Sequence, residues 1–173
     1  MFTFKNLDET TRKHMLAEAN HGGAQATEYF GKRLTDVGRT AWPELLLDAI
    51  RGGTTETLAA KLREQGRLKS VETSHRKGVP YEKAVPSNAA ELLAEGEFNR
   101  YYCRAVCIRA LAEARKVLVY RGRPSANPRP ESEDWVGKHV DPTALLNDLR
   151  TTPGEDPKMG LPSVNSGLTV CLD

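Results

Sequence analysis

The stretch from Pro86 to Gly122, PSNAAELLAEGEFNRYYCRAVCIRALAEARKVLVYRG, constrains the fold more than any other part of the chain. No proline interrupts it between Asn88 and Lys116, and at Val117 the composition shifts from helix formers to strand formers. Such a pattern predicts one long amphipathic helix feeding directly into a buried strand over Val117–Arg121. Phe98, Tyr101 and Tyr102 crowd onto the helix together with Cys103, Cys107, Arg100, Arg104 and Arg109, in a chain that is only 6% aromatic. The physical centre of the molecule is therefore expected here. Asn88-Ala89-Ala90-Glu91 has the spacing of a capping box at the helix start. Gly96 weakens a helix interior by about 1 kcal/mol relative to alanine, so a kink or a close helix–helix contact is expected there.

The remainder reads as shorter pieces arranged around that spine. Phe2 and Phe4 alternate as a strand or an arm would. Asp8 suits an N-cap for a helix over Thr11–Asn20, and His21-Gly22-Gly23 would stop it. A second helix is expected over Gln25–Leu34. A third should begin at Pro43, because proline suits the first helical position. Thr54 or Thr55 should cap a fourth, carrying Leu58, Ala59 and Leu62 inward and ending at Gly66. Arg67–Ser74 and Val79–Val85 then favour strand around His75-Arg76-Lys77-Gly78, a hairpin with a basic tip. Beyond the long helix, Arg123–Pro130 holds three prolines and should be an extended connector. Asp141-Pro142 should start a short helix, and Leu168–Leu172 should pair with Val117–Tyr120. The expected class is α+β and mostly helical: a helical part over 1–66, a hairpin over 67–86, and the long helix with a small antiparallel or mixed sheet over 87–173, all in one folding unit.

Charge is patterned although the total is small, with 25 Lys and Arg against 23 Asp and Glu. Arg67, Lys69, Arg76 and Lys77 lie in one basic segment, and Arg100, Arg104, Arg121 and Arg123 in a second. From Glu131 onward acidic residues dominate. A basic middle and an acidic tail favour internal neutralisation or head-to-tail contact between subunits. No apolar run is long enough to span a bilayer, so no membrane role is expected. Met1–Asn20 lacks the apolar core of a signal peptide, and three cysteines are too few for a disulfide framework. A reducing cytoplasm is the expected setting.

Motifs with chemistry are sparse. Pro43–Val85 is similar in part to a winged helix, but no separate recognition helix precedes the hairpin. Arg100 and Arg104, one turn apart, offer a clamp for phosphate or carboxylate, with Tyr101 placed to stack a base and Glu97 as the intrahelical alternative. Cys103 and Cys107 have a usable metal spacing, yet His75, His139 and Cys171 supply no pattern beside them, and buried thiols are the simpler reading. Val119-Tyr120-Arg121-Gly122 and Glu131-Ser132-Glu133 are similar to parts of an ADP-ribosyltransferase core, but too little chain separates them to build that cleft. No phosphate loop or nucleophile elbow occurs. No catalytic residue, metal or cofactor is assigned.

AEGEFNRYYCRA in the long helix, with the later NPRPESE, resembles segments of uncharacterised phage and prophage proteins. That resemblance implies a context, a small component of a viral particle or its assembly apparatus, and no activity. The leading expectation is a non-catalytic assembly subunit with other protein subunits as partners, such as a head-completion, connector or capsid-associated protein. A nucleic-acid-binding regulator using Arg67, Lys69, Arg76, Lys77, Arg100, Arg104, Arg121 and Arg123 is the alternative. An enzyme is the third, to be recognised by a deep pocket with paired titratable groups.

Overall fold

A computed structural model describes residues 2–20, 31–64, 66–163 and 165–173. Along them run α1 (Glu9–Asn20), α2 (Asp36–Gly52), α3 (Thr55–Arg63), β1 (Val71–Arg76), β2 (Val79–Ala84) and α4 (Ala89–Glu113). These are followed by β3 (Val117–Arg121), α5 (Pro130–Glu133), β4 (His139–Val140), α6 (Pro142–Thr151) and β5 (Leu168–Leu172). The fold is α+β and mostly helical, with two small antiparallel sheets.

Side-chain caps account for most helix starts. Asp8 accepts from the Thr11 N–H at 2.8 Å and opens α1. Thr35 accepts from the Gly38 N–H at 3.1 Å and opens α2. Thr54 and Thr57 satisfy each other's backbone in a reciprocal box at α3. Asp141 accepts from the Ala144 N–H at 2.6 Å at the head of α6, with Pro142 in the first turn.

Two starts depart from expectation. Pro43 lies inside α2 rather than at its head. An interior proline costs about 3 kcal/mol, because one hydrogen bond is lost and the ring crowds the preceding turn. Burying Trp42, Leu46 and Ile50, each at most 1% exposed, offsets that at about 1.5–3 kcal/mol per side chain. At α4 the capping box does not form: Asn88 makes no side-chain cap bond, and Glu91 pairs with Arg63 instead. The helix expected over 25–34 falls largely outside the described residues; Leu34 itself bridges to Leu68 as an isolated β-pair.

α4 is the spine, and it is not two-faced. Every residue from Glu97 to Cys107 is buried, because α1, α3, α6 and β5 pack against it from different sides. Ala94, Cys103, Ala105, Cys107 and Ala110 keep it narrow enough for those neighbours. Ala114 ends it in the left-handed conformation, φ 53°, with its N–H on the Ala110 carbonyl. The place a Cβ would take at Gly96 is open, so no close helix packing explains that glycine.

β3 is the central strand of a three-stranded sheet in the order β4-β3-β5. β5 pairs with β3 as the sequence predicts, in an antiparallel register that sets Val117 opposite Leu172 and Arg121 opposite Leu168. β4 on the other edge and the short α5, which Pro130 begins, are additions to the expected plan. The N-terminal segment is an arm laid on the core. Phe4 packs on Phe98 and Tyr102 at ring separations of 5.3 and 4.7 Å, and the Thr3 N–H reaches the Gly122 carbonyl at 2.8 Å. Buried apolar side chains from Met15 to Leu172 form one cluster, to which β1 and β2 contribute none.

Candidate functional site

The hairpin stands away from the core, and its base is fixed by charge. Glu72 accepts from Arg33 Nε at 2.7 Å and Nη2 at 3.1 Å, with Lys83 Nζ at 3.3 Å. Glu72 lies in a field of cations, which holds its carboxyl below the usual range, the Arg33 bond being the largest cause. The turn is only Lys77-Gly78, both with positive φ (50° and 80°), the geometry that matches strand twist in a two-residue hairpin. Register places Arg76, Val79, Ser74 and Tyr81 on one face and Val71, Thr73, His75 and Pro80 on the other. Val71, Val79 and Tyr81 are 46%, 65% and 45% exposed. Arg76 and Lys77 sit exposed at the tip without an ion pair among the described residues.

The other predicted contact residues are distributed differently. Lys69 is exposed and donates Nζ to the Lys32 carbonyl at 3.1 Å. Arg67 is half-buried, with Nη1 on the Lys61 carbonyl and on Glu64 at 2.8 Å. Arg100 and Arg104 do not open outward as a clamp for an external anion: they are 8% and 5% exposed. Arg100 donates Nη1 to the carbonyls of Leu149 and Thr152 at 3.2 and 2.7 Å, and Nη2 to that of Glu155 at 2.5 Å. Arg104 donates to the Leu149 carbonyl and lies over the Tyr101 ring at 5.1 Å. Both cations therefore satisfy the carbonyl end of α6, where helical acceptors lack intrahelical donors. Desolvation lowers the Arg104 pKa and pushes the Tyr101 phenol up to about 12. Arg121 ties Ser166 and Glu133 together, so the Arg and Glu-Ser-Glu pieces meet as a brace between β3 and α5. Arg123 donates to Asn165 Oδ1 at 3.1 Å.

A cavity of about 280 Å³, not anticipated from sequence, lies beside the first half of α4. The base of the hairpin and the loop around Gly154–Gly167 complete it. Leu92, Leu93, Phe2 and Pro162 give it apolar wall, and Glu97 lies among them. Glu97 is 8% exposed, and its nearest cation, Arg100 Nε, is 4.0 Å away, beyond hydrogen-bond range. Burial raises its carboxyl above the ordinary value, against the pull of Arg100 and Arg104. Glu95 is also raised by burial, but Arg123 Nε faces it at 3.1 Å. Residues two apart on a helix point to different sides, so Glu95 and Glu97 do not form an acid–base pair. Glu97 reads in sequence as an intrahelical partner for Arg100 or Arg104; its burial comes from tertiary packing, which no local pattern announces.

The three cysteines are buried and free. Cys103 Sγ lies 3.5 Å from Asn99 Oδ1 and 3.7 Å from Thr169 Oγ1, and burial pushes its thiol up to about 12. Among the described residues no cluster of three His, Cys, Asp or Glu is placed to hold a metal, and no helix is long and apolar enough to cross a membrane. Comparison with protein families, curated proteins and solved structures returns no match for the chain.

Proposed function

We propose that the chain is a non-catalytic assembly subunit that seats its β1–β2 arm on a neighbouring protein within a larger complex. The observation that carries this reading is an arm exposed on both faces, with Val71, Val79 and Tyr81 in solvent and no third strand on either edge among the described residues. A two-stranded ribbon is marginal by itself in water, and free edges are natural sites for strand addition. Covering Val79 and Tyr81 stabilises a joint by about 1.5–3 kcal/mol per side chain. Arg76 and Lys77 favour an acidic seat. Another copy of this chain offers one in the exposed Glu131, Asp134 and Asp141, and a different subunit with the same charge serves equally. A phage head-completion, connector or capsid-associated role is the setting that the sequence resemblance implies.

The test is sedimentation of wild type and of Val79→Ser/Tyr81→Ser across a concentration series, with identification of proteins that co-purify from the native source. Association lost in the variant, with unchanged circular dichroism, supports the reading. A wild type that stays monomeric throughout and brings down no partner overturns it. The exposed Arg76 and Lys77 at the hairpin tip also favour a second reading, a ribbon laid against nucleic-acid phosphate. Affinity would then fall steeply with salt, and Arg76→Ala/Lys77→Ala would flatten the slope by about two charges. Salt-independent binding, or none at low salt, removes it.

A further inference from the structure

We infer that the cavity beside α4 is a binding site for a small organic cation, a protonated amine or amidinium on a short apolar body, with Glu97 as its anchor. Charged side chains surround the cavity, and of these Lys32 and Glu155 lie exposed to solvent. Glu72 is held by Arg33 and Lys83, and Glu95 faces Arg123. Arg100 is directed at the carbonyls beyond α6. Glu97 differs from them in having no cation nearer than Arg100 Nε at 4.0 Å and no hydrogen-bond partner among the described residues, although it is only 8% exposed. A buried polar group left in that condition is costly, and the cost disappears when a donor arrives.

The rest of the cavity defines the body of that donor. A volume near 280 Å³ lies at the small end of ligand pockets, which take their affinity from apolar walls and their orientation from a few polar groups. Leu92, Leu93, Phe2 and Pro162 supply such a wall. A metal ion is disfavoured, because hard cations demand several oxygen ligands and the neighbouring Glu95 is turned to Arg123. An anion would set like charge against Glu97 in a poorly solvated space. An amine or amidinium meets both demands, donating to the carboxylate while its carbon skeleton fills the apolar side.

Benzamidine hydrochloride is a suitable probe, with benzamide and sodium benzoate as neutral and anionic controls. Titrations followed by calorimetry and by methyl and carboxyl NMR of the wild type read both affinity and place. Benzamidinium should bind saturably and shift the Leu92 and Leu93 methyls and the Glu97 carboxyl. It should bind about tenfold or more tighter than benzamide, the factor expected of a charge-assisted bond. Benzoate should leave those signals unmoved, and Glu97→Gln should weaken benzamidinium by a similar factor. Shifts absent from these residues, equal affinity for benzamide, or full affinity in Glu97→Gln each overturn the assignment. Should Glu97→Gln not fold, the three-probe comparison on the wild type decides by itself.

Discussion

Replacing Arg100 with methionine isolates what the two inward arginines do. Methionine keeps an unbranched apolar stem in the site and removes the guanidinium, so the change is electrostatic more than volumetric. It strips donors from the carbonyls of Thr152 and Glu155 and one of two from Leu149, which Arg104 also serves. The buried Thr152 acceptor, once orphaned, costs about 1–3 kcal/mol and the exposed Glu155 carbonyl less, part of which is returned because a cation no longer has to be desolvated. The net expectation is a loss of about 3–5 kcal/mol, the range for breaking a buried charged network. At a urea slope of about 2 kcal/mol per molar the midpoint should fall by about 2 M. Arg76→Met makes the same chemical change at the exposed hairpin tip and should stay within about 0.5 kcal/mol of wild type. Equal midpoints for the two variants would refute the account of Arg100 as the cap of the α6 terminus. Because Arg100 also eases the burial of Glu97, Arg100→Met/Glu97→Gln should lose less than the sum of its parts.

Other outcomes follow from single observations. At Gly38 an added Cβ would lie 2.1 Å from the Arg67 carbonyl oxygen, so Gly38→Ala should cost about 1–3 kcal/mol in thermal unfolding; a neutral result would mean that α2 does not press on the hairpin base. Gly96→Ala meets nothing within 4 Å and should gain about 0.5–1 kcal/mol, whereas a loss would point to backbone freedom being used at that position. Burial raises the thiol pKa of Cys103, Cys107 and Cys171. A disulfide reagent at pH 8 should therefore label none of them rapidly in the native protein and all of them in denaturant, and prompt labelling would contradict their burial. For Glu97 the folded carboxyl binds its proton more tightly than the unfolded one, whose ordinary value is 4.5. That contribution is complete below the unfolded value and is lost as pH rises through the folded one. Wild type should thus weaken relative to Glu97→Gln over that interval in paired urea titrations, and a pH-independent difference would remove the argument.

What was legible in the sequence was what local chemistry decides. Asp8, Thr54 and Asp141 are caps because a short side-chain oxygen meets amide groups three residues on, whatever the rest of the chain does. Val117–Arg121 is the strand for similarly local reasons, whereas the tip expected over His75-Arg76-Lys77-Gly78 tightens to Lys77-Gly78 because β1 continues through Arg76. Pro43 misled because a good reason to start a helix there gave way to a better cap at Thr35 and to the burial of Trp42. Asn88 misled because Glu91, which should have closed the box, found Arg63 on a neighbouring helix.

The arginines of α4 show the same limit at the level of function. Spacing correctly puts Arg100 and Arg104 on one side of the helix, but which medium that side faces is set by α6, whose carbonyls lie 45–55 residues further along the chain. A guanidinium aimed at a helix terminus and one aimed at phosphate have the same sequence signature, since both are planar donors meeting oxygen. Glu97 is the converse case. An acidic residue three positions before an arginine reads as an intrahelical surface pair, yet at 4.0 Å in a covered space it lacks a hydrogen bond and faces a cavity instead. Buried charge is expensive enough that chains retain it rarely without a partner, and Arg100 has its partners in the carbonyls of Leu149, Thr152 and Glu155. The Glu97 carboxyl on the cavity wall has no hydrogen-bond partner among the described residues, so that wall and the uncovered arm are the places where this molecule has bonding to offer.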